Sequence, residues 1–205
     1  MFFYRYKVAE PHLNKYACEM HAAFLAGKTE KNATVGKDIQ IHKWFDREDK
    51  AWVYFALSMP LASTPHKVSR KPYAPILGFI CLSKVPRWHV LETDIIYVNP
   101  NARGQGMATV LYDAVLKDGH IVMSGYSHNP KSRRLWMKLV QNPKYVTWAH
   151  DIINLDQYSD VWVDEDQFEC NLKLYDDIKK IRRRMKSDVR ILMFNPRYVN
   201  ESTAV

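Results

Sequence analysis

Short stretches of the chain are apolar and contain β-branched or aromatic residues, which is typical of β-strands. The clearest stretches lie at residues 76–83 and 90–98, and a short one lies at 189–194. Weaker stretches of the same kind predict further strands. These are residues 2–8, 38–44, 51–57, 120–125, 144–149 and 167–175.

Apolar residues spaced three and four positions apart predict helices between these strands. The clearest helices are predicted at residues 106–117 and 130–140, with further helices at 11–28 and 176–186. Residues 29–37 are polar and are expected to form a loop. The alternation of strands and helices predicts an α+β fold, in which helices flank a mixed sheet as an α/β/α sandwich.

The most informative stretch joins a strand to a helix and runs from Tyr97 to Ala108. Its turn contains Gly104 and Gly106. Glycines let backbone N–H groups approach a phosphate closely, and the helix dipole favours negative charge at the N-terminus. Arg103 can add a charge-assisted hydrogen bond there. The spacing matches neither Gly-x-Gly-x-x-Gly nor the P-loop, so the turn is either another kind of anion site or a tight turn that needs glycine.

The pattern Arg103-x-x-Gly106-x-Ala108, which follows Val98-x-Pro100, resembles the pyrophosphate loop of the GNAT superfamily of N-acetyltransferases. A second block supports this resemblance. The run Asn-Pro-Lys-Ser-Arg-Arg-Leu-Trp at residues 129–136 is similar to the superfamily block Asn-x-x-Ala/Ser-x-x-Leu/Phe-Tyr, which begins the helix after the fifth strand. The glycine in Ile-Leu-Gly-Phe-Ile at 76–80 resembles that of the third strand in the superfamily.

The resemblance implies a GNAT-like fold with a mixed, mostly antiparallel sheet. It covers residues 1–150, which we expect to form an acyl-CoA-binding domain. Residues 151–205 are expected to form a C-terminal extension of strand, basic helix and strand that packs on the same domain.

Acetyl-CoA is the acyl donor that the resemblance implies. Backbone groups of Tyr97 and Val98 would then pair with its pantetheine arm, as a strand pairs with an extended peptide. Asn129 and Ser132 would lie near the arm and the thioester. The backbone amides of the turn would hold the pyrophosphate, and they belong to Arg103, Gly104, Gln105, Gly106, Met107 and Ala108.

Glu92 is the candidate general base, because it lies six residues before Val98. In the histone-acetylating branch of the superfamily, a glutamate at this offset takes the proton of the substrate amine. Strand alternation places Glu92 and Asp94 on one face, where repulsion between two carboxylates can tune one of them for proton transfer. The alternative is that both are ordinary solvated acids at the start of a strand.

The general acid is left unassigned by the sequence. Trp136 stands where the superfamily often has a tyrosine that protonates the leaving thiolate. An indole is a hydrogen-bond donor that does not titrate in a useful range. Ser132, Tyr126 or a water could act instead, or the thiolate could leave without an acid.

The net charge of +8 and the sequence pI of about 9.3 predict acidic partners. Six of the 30 lysine and arginine residues fall in the predicted helix 176–186, which is either a solvated face or a surface that contacts the phosphates of nucleic acid or another acidic partner. Its cations are Lys179, Lys180, Arg182, Arg183, Arg184 and Lys186.

Several classes of protein are not expected from this sequence. The three cysteines lack Cys-x-x-Cys spacing, which predicts no disulfide framework, no zinc site and a reducing, cytoplasmic location. The eight histidines are scattered, so we expect no metal cofactor. No run approaches the roughly 20 apolar residues of a membrane-spanning helix, and no membrane partner is expected.

Three hypotheses for the function follow. The first is transfer of an acetyl group from acetyl-CoA to an amine acceptor by direct attack, with Glu92 as the base. The second is a GNAT-type enzyme that modifies nucleic acid or a nucleic-acid-bound protein, as some phage and bacterial members of the superfamily do. The third is a catalytically silent module that binds CoA or a partner, which Trp136 leaves open.

Overall fold

In the computed structural model, the residues described are 19–59, 76–85, 90–125, 129–151 and 189–198. They contain the following strands and helices. The strands are β1 (Glu30–Val35), β2 (Ile39–Asp46), β3 (Ala51–Ser58), β4 (Ile76–Lys84), β5 (Val90–Val98), β6 (Ile121–Met123), β7 (Val146–Asp151) and β8 (Val189–Phe194). The helices are α1 (19–25), the short 3-10 helix η1 (Pro100–Ala102), α2 (Met107–Lys117) and α3 (Pro130–Val140).

These strands form one eight-stranded sheet in the order β1-β2-β3-β4-β5-β6-β8-β7. The pairs β1–β2, β2–β3 and β3–β4 are antiparallel, as are β6–β8 and β7–β8. The pair β5–β6 is parallel. A mixed and mostly antiparallel sheet confirms the predicted α+β fold class. Strand β8, from the predicted C-terminal extension, lies between β6 and β7 in this sheet.

The prediction of a loop at residues 29–37 is wrong, because Glu30–Val35 form β1. This strand is at the edge of the sheet, and its side chains are exposed or half-buried. Edge strands commonly carry charged residues, which discourage pairing with other chains. The polar sequence therefore gave no sign of a strand. Predicted strands 2–8 and 167–175 and predicted helix 176–186 lie outside the described residues.

The described residues divide into two compact units. The first contains those up to Ser83 together with Asp94–Ala114, and the second contains Lys84–Thr93 together with those from Val115 onward. The chain passes from one unit to the other at the end of β4, within β5 and within α2. The division into a domain at 1–150 and an extension at 151–205 stays a prediction.

Each unit has its own apolar core. In the first unit, Met20 from α1 packs with side chains of β3 and β4 that include Phe55 and Phe79. His42 from β2 is also buried there, and burial together with the nearby charge of Lys31 lowers its pKa. The second unit contains a smaller cluster, which is built from one residue of each of three strands. These residues are Val90, Met123 and Leu192.

Gly78 in β4 allows a close approach of neighbouring backbone. A Cβ atom built on Gly78 would lie 2.8 Å from the carbonyl oxygen of Tyr97 in β5. It would also lie 3.4 Å from side-chain atoms of Leu111 and Met107 in α2. Strand β5 and the side chains of α2 therefore approach β4 closely at Gly78, because glycine has no side chain.

We expect Gly78→Ala to lower the free energy of unfolding by about 1–3 kcal/mol, because the new methyl group overlaps a backbone oxygen. Urea denaturation followed by circular dichroism measures this change. Gly36→Ala is the comparison variant: it introduces the same methyl group where nothing lies within 4 Å, so its cost comes from the positive φ of 63° alone. A Gly78→Ala protein as stable as the wild type would contradict the close approach.

Candidate functional site

Asn99 shapes the turn that follows β5. Its side chain is buried, and its backbone N–H donates to the carbonyl oxygen of Leu77 at 2.9 Å. The Asn99 Oδ1 atom accepts a hydrogen bond from the backbone N–H of Asn101 at 3.0 Å, which caps the 3-10 helix η1. Pro100 at the first position of η1 has no N–H to satisfy. The chain is therefore redirected sharply where the strand ends.

Gly104 and Gly106 both have positive φ angles, of 77° and 75°. Other residue types adopt this backbone conformation at a cost, so the turn requires glycine at both positions. A Cβ atom built on either glycine would meet no heavy atom within 4 Å. Both residues are exposed, so the turn presents bare backbone to an open space.

Helix α2 begins directly after this turn. The carbonyl oxygen of Gly106 accepts a hydrogen bond from the N–H of Val110 at 3.1 Å, and the side chain of Met107 is buried and anchors the first turn. The first N–H groups of an α-helix have no partner within the helix. The first turn of α2 contains no acidic residue to offset the positive end of its dipole. The geometry therefore suits a bound anion.

Two side chains of the turn hydrogen-bond to nearby backbone. Arg103 donates from Nε to the carbonyl oxygen of Val98 at 3.1 Å, and Gln105 donates from Nε2 to that of Asn101 at 3.3 Å. Both side chains are exposed. They brace the turn from outside, and the charge of Arg103 stays beside it.

The backbone groups of Tyr97 and Val98 point to opposite edges of β5. The carbonyl of Tyr97 is directed at β4, because it lies next to Gly78. Successive residues of a strand direct their backbone groups to opposite sides. Val98 therefore faces the other edge of β5, where the described pairing with β6 covers only Val90–Glu92.

The second unit contains Glu92, which is held by an arginine that the sequence gave no reason to single out. Arg190 in β8 donates from Nη1 to Oε1 of Glu92 at 2.8 Å. The Arg190 side chain is 8% exposed and that of Glu92 is 30% exposed. The carboxylate is therefore anchored by a buried cation while part of its surface remains accessible.

Ser124, directly after β6, completes this arrangement. Its carbonyl oxygen accepts a second hydrogen bond from Nη1 of Arg190 at 3.2 Å. Its N–H donates to the carbonyl oxygen of Ile191 at 2.8 Å, and its Oγ accepts from the N–H of Ile191 at 3.1 Å. Glu92 and Arg190 are 98 positions apart in the chain, so local sequence patterns could not have paired them.

Asp94, the second predicted acid of β5, accepts a hydrogen bond from the Oγ of Ser83 within the first unit. Glu92 and Asp94 thus each have a polar partner of their own. The structure thus shows a hydrogen-bond donor for each carboxylate. The predicted repulsion between the two carboxylates stays a prediction.

Asn129 and Ser132 form the N-terminal cap of α3. The Oδ1 atom of Asn129 accepts from the N–H groups of Lys131 and Ser132, both at 2.9 Å, and from Oγ of Ser132 at 3.3 Å. This cap gives both residues a structural role. Further along α3, Trp136 is 2% exposed. A buried indole at this position belongs to the core.

The predicted site residues therefore fall into two groups. One group, in the first unit, comprises Tyr97, Val98 and the turn 103–108. The other, in the second unit, comprises Glu92, Asn129 and Ser132. Within the first group the structure places the strand end, the turn and the helix start in one continuous segment.

Cys81 is the one cysteine among the described residues, and it is buried. Burial, with smaller effects from Asp94, Asp46 and Asp49, raises the pKa of its thiol, so it is a neutral core residue. In the described part of the chain, no cluster of three or more histidine, cysteine or acidic residues could hold a metal ion. Nor does this part contain a helix with the length and apolar character needed to cross a membrane.

The comparison with protein families agrees with this geometry. The model of the acetyltransferase (GNAT) family matches residues 34–139, which is more than half of the 205 residues. The chain therefore belongs to the GNAT family. Acetyl transfer is the general activity of this family, and its members generally use acetyl-CoA. No curated protein matches the chain.

Proposed function

We propose that this protein transfers an acetyl group from acetyl-CoA to an amine acceptor. The observation that carries the proposal is the exposed turn between β5 and α2, where two glycines with positive φ precede a helix N-terminus without acidic residues. Backbone N–H groups in such a turn suit the pyrophosphate of CoA. The match to the family model includes this whole turn.

Residues 103–108 hold the pyrophosphate in this proposal, and the charge of Arg103 adds to the attraction. Val98 directs its backbone to the edge of β5 away from β4, so its N–H is available to the pantetheine arm. Its carbonyl already accepts from Nε of Arg103. Tyr97 directs its carbonyl at β4, and its pairing with the arm stays a prediction.

Glu92 acts as the general base. Bound acetyl-CoA supplies an activated acetyl thioester. Glu92 accepts one proton from the acceptor ammonium, directly or through a water. The neutral nitrogen then bonds to the acetyl carbon as the carbon–sulfur bond breaks, and the second nitrogen proton passes to the departing CoA thiolate or to solvent. The CoA thiolate is a good leaving group, and Trp136 is buried and does not titrate, so the proposal assigns no general acid.

Helix α3 favours nucleic acid or another polyanion as a second candidate acceptor. It contains four cations and no acidic residue, and Lys131, Arg134 and Lys138 are exposed. Positions three and four apart lie on one face of a helix, so these three cations form a row. Such a row can contact successive phosphates, and binding would then weaken steeply with salt. The basic segment 176–186 would add further cations for contacts with phosphates.

The test combines binding with label transfer. Calorimetry with acetyl-CoA should show binding to the purified protein. Incubation with acetyl-labelled acetyl-CoA and a cell lysate should then move label into small amines or protein, whereas label in the nucleic acid fraction would support the second candidate. Binding without transfer to any fraction would indicate a CoA-binding module without activity. The absence of binding would overturn the proposal.

A further inference from the structure

Arg190 is a buried charge that the proposed function leaves without a role. Its side chain is 8% exposed and lies on β8, between β6 and β7. Burying a cation is costly unless hydrogen bonds and an opposite charge compensate it. One partner that compensates Arg190 is Glu92, the residue to which the proposed function gives the proton transfer.

Two hydrogen bonds hold the Nη1 atom of Arg190. A guanidinium Nη carries two hydrogens. Nη1 of Arg190 has two acceptors, Oε1 of Glu92 at 2.8 Å and the carbonyl oxygen of Ser124 at 3.2 Å. The hydrogen bond to the backbone holds the guanidinium in place, and the guanidinium in turn holds one oxygen of the carboxylate.

The sheet register explains why an arginine is needed for this contact. Glu92 pairs with Met123 across β5–β6, and Met123 pairs with Leu192 across β6–β8. Two strand spacings of roughly 4.8 Å therefore separate β5 from β8. Arg190 lies two residues from Leu192 and must reach diagonally over the end of β6. Only a long side chain spans that distance.

The backbone beneath Arg190 is also well held. Ser124 makes two hydrogen bonds to Ile191, the residue next to Arg190. A Cβ atom built on Gly125 would lie 2.8 Å from the carbonyl oxygen of Thr93, the residue next to Glu92. The segment after β6 is therefore packed tightly against both neighbouring strands, so the acceptor for Arg190 has little freedom to move.

The surroundings of the ion pair are apolar on one side. Alternation along each strand places Val90 on the face of Glu92 and Leu192 on the face of Arg190, and these two residues pack with Met123. An apolar neighbour lowers the local dielectric constant and strengthens the attraction between the charges. Glu92 nevertheless remains 30% exposed, which leaves the carboxylate within reach of an acceptor or a water.

We propose that Arg190 is a positioning residue, which orients the Glu92 carboxylate for accepting the proton of the acceptor amine. This inference rests on the proposed function. A general base must lie within hydrogen-bond reach of the proton that it removes, so a carboxylate that rotates away loses rate rather than affinity for the donor.

The test compares Arg190→Met, Arg190→Lys, Glu92→Gln and the double variant Arg190→Met/Glu92→Gln. Turnover is measured with acetyl-CoA and a panel of benzylamine, spermidine and a blocked lysine peptide, or with the acceptor found by label transfer. We expect Arg190→Met to lower kcat about 10-fold and to change the KM for acetyl-CoA less than about twofold. Arg190→Lys should restore part of kcat. In the Glu92→Gln background, Arg190→Met should cause no further loss.

Arg197→Met is the matched control, since Arg197 is exposed in the turn after β8. Equal losses from Arg190→Met with and without Glu92 would show a merely structural role and overturn the inference. A normal kcat for both Arg190 variants beside an impaired Glu92→Gln protein would overturn the inference and leave the base assignment intact. Wild-type turnover by Glu92→Gln would overturn both. If Arg190→Met does not fold, Arg190→Lys in the two backgrounds gives the same comparison.

Discussion

Replacing Gly106 with tryptophan is expected to weaken the binding of acetyl-CoA by about 100-fold or more. Gly106 has a φ of 75°, and a side chain on it would project into the open space above the turn. That space is where the proposal places the pyrophosphate. Each charge-assisted hydrogen bond lost from a backbone N–H costs about 1.5–3 kcal/mol, so the loss of two accounts for the expected change. Isothermal titration calorimetry with acetyl-CoA and with CoA measures it.

Gly36→Trp is the matched control for this experiment. Gly36 lies between β1 and β2, has a φ of 63°, and also meets nothing within 4 Å of a built Cβ atom. Both variants incur a backbone strain of about 1–2 kcal/mol, which thermal unfolding reports. Only Gly106→Trp should lose affinity. Unchanged affinity in a folded Gly106→Trp protein would show that the pyrophosphate binds elsewhere.

Glu92→Gln is expected to lower kcat about 100-fold or more while the KM for acetyl-CoA changes little. General base catalysis contributes roughly 10²–10⁴-fold to enzymatic rates. The amide keeps the shape of the carboxylate, and its oxygen can still accept a hydrogen bond from Nη1 of Arg190. The fold should therefore persist while the proton acceptor is lost. Steady-state release of CoA, followed with a thiol reagent in the presence of the acceptor, measures kcat.

Glu30→Gln provides a control with the same chemical change. The side chain of Glu30 is 71% exposed, and its Oε1 atom lies 3.3 Å from Nζ of Lys43. This variant therefore also removes one charge and one ion pair. Exposed ion pairs contribute at most about 1 kcal/mol to stability, and kcat should stay at the wild-type value. If Glu92→Gln and Glu30→Gln turned over equally fast, Glu92 would not be the base.

Patterns of apolar residues were sufficient to predict the elements that contain many buried residues. Helix α3 and strand β8 have the bounds that the sequence predicted, 130–140 and 189–194. Strand β4 and helix α2 differ from prediction by one residue at one end. Periodicity failed for β1, since an exposed edge strand needs few apolar residues.

The turn at Gly104 and Gly106 could be predicted because all of its determinants are adjacent in the chain. The partner of Glu92, Arg190, could not be predicted from the sequence. Its position depends on two strand registers, one parallel and one antiparallel, and neither can be read from a single sequence. The cap formed by Asn129 was signalled by Asn followed by Pro, which is a common start of a helix. The ligand role that the resemblance implies for Asn129 stays a prediction beside this structural one.

The insertion of β8 between β6 and β7 has a consequence for how the protein reaches its native state. β6 has only three residues and pairs with β8, which lies more than 60 positions further along the chain. Contacts between such distant segments form slowly, since a long loop must close before they contribute any stability. Under the proposed function, a nascent or partly refolded chain would then have the turn that binds the donor before Glu92 acquires its arginine, and donor binding would precede turnover.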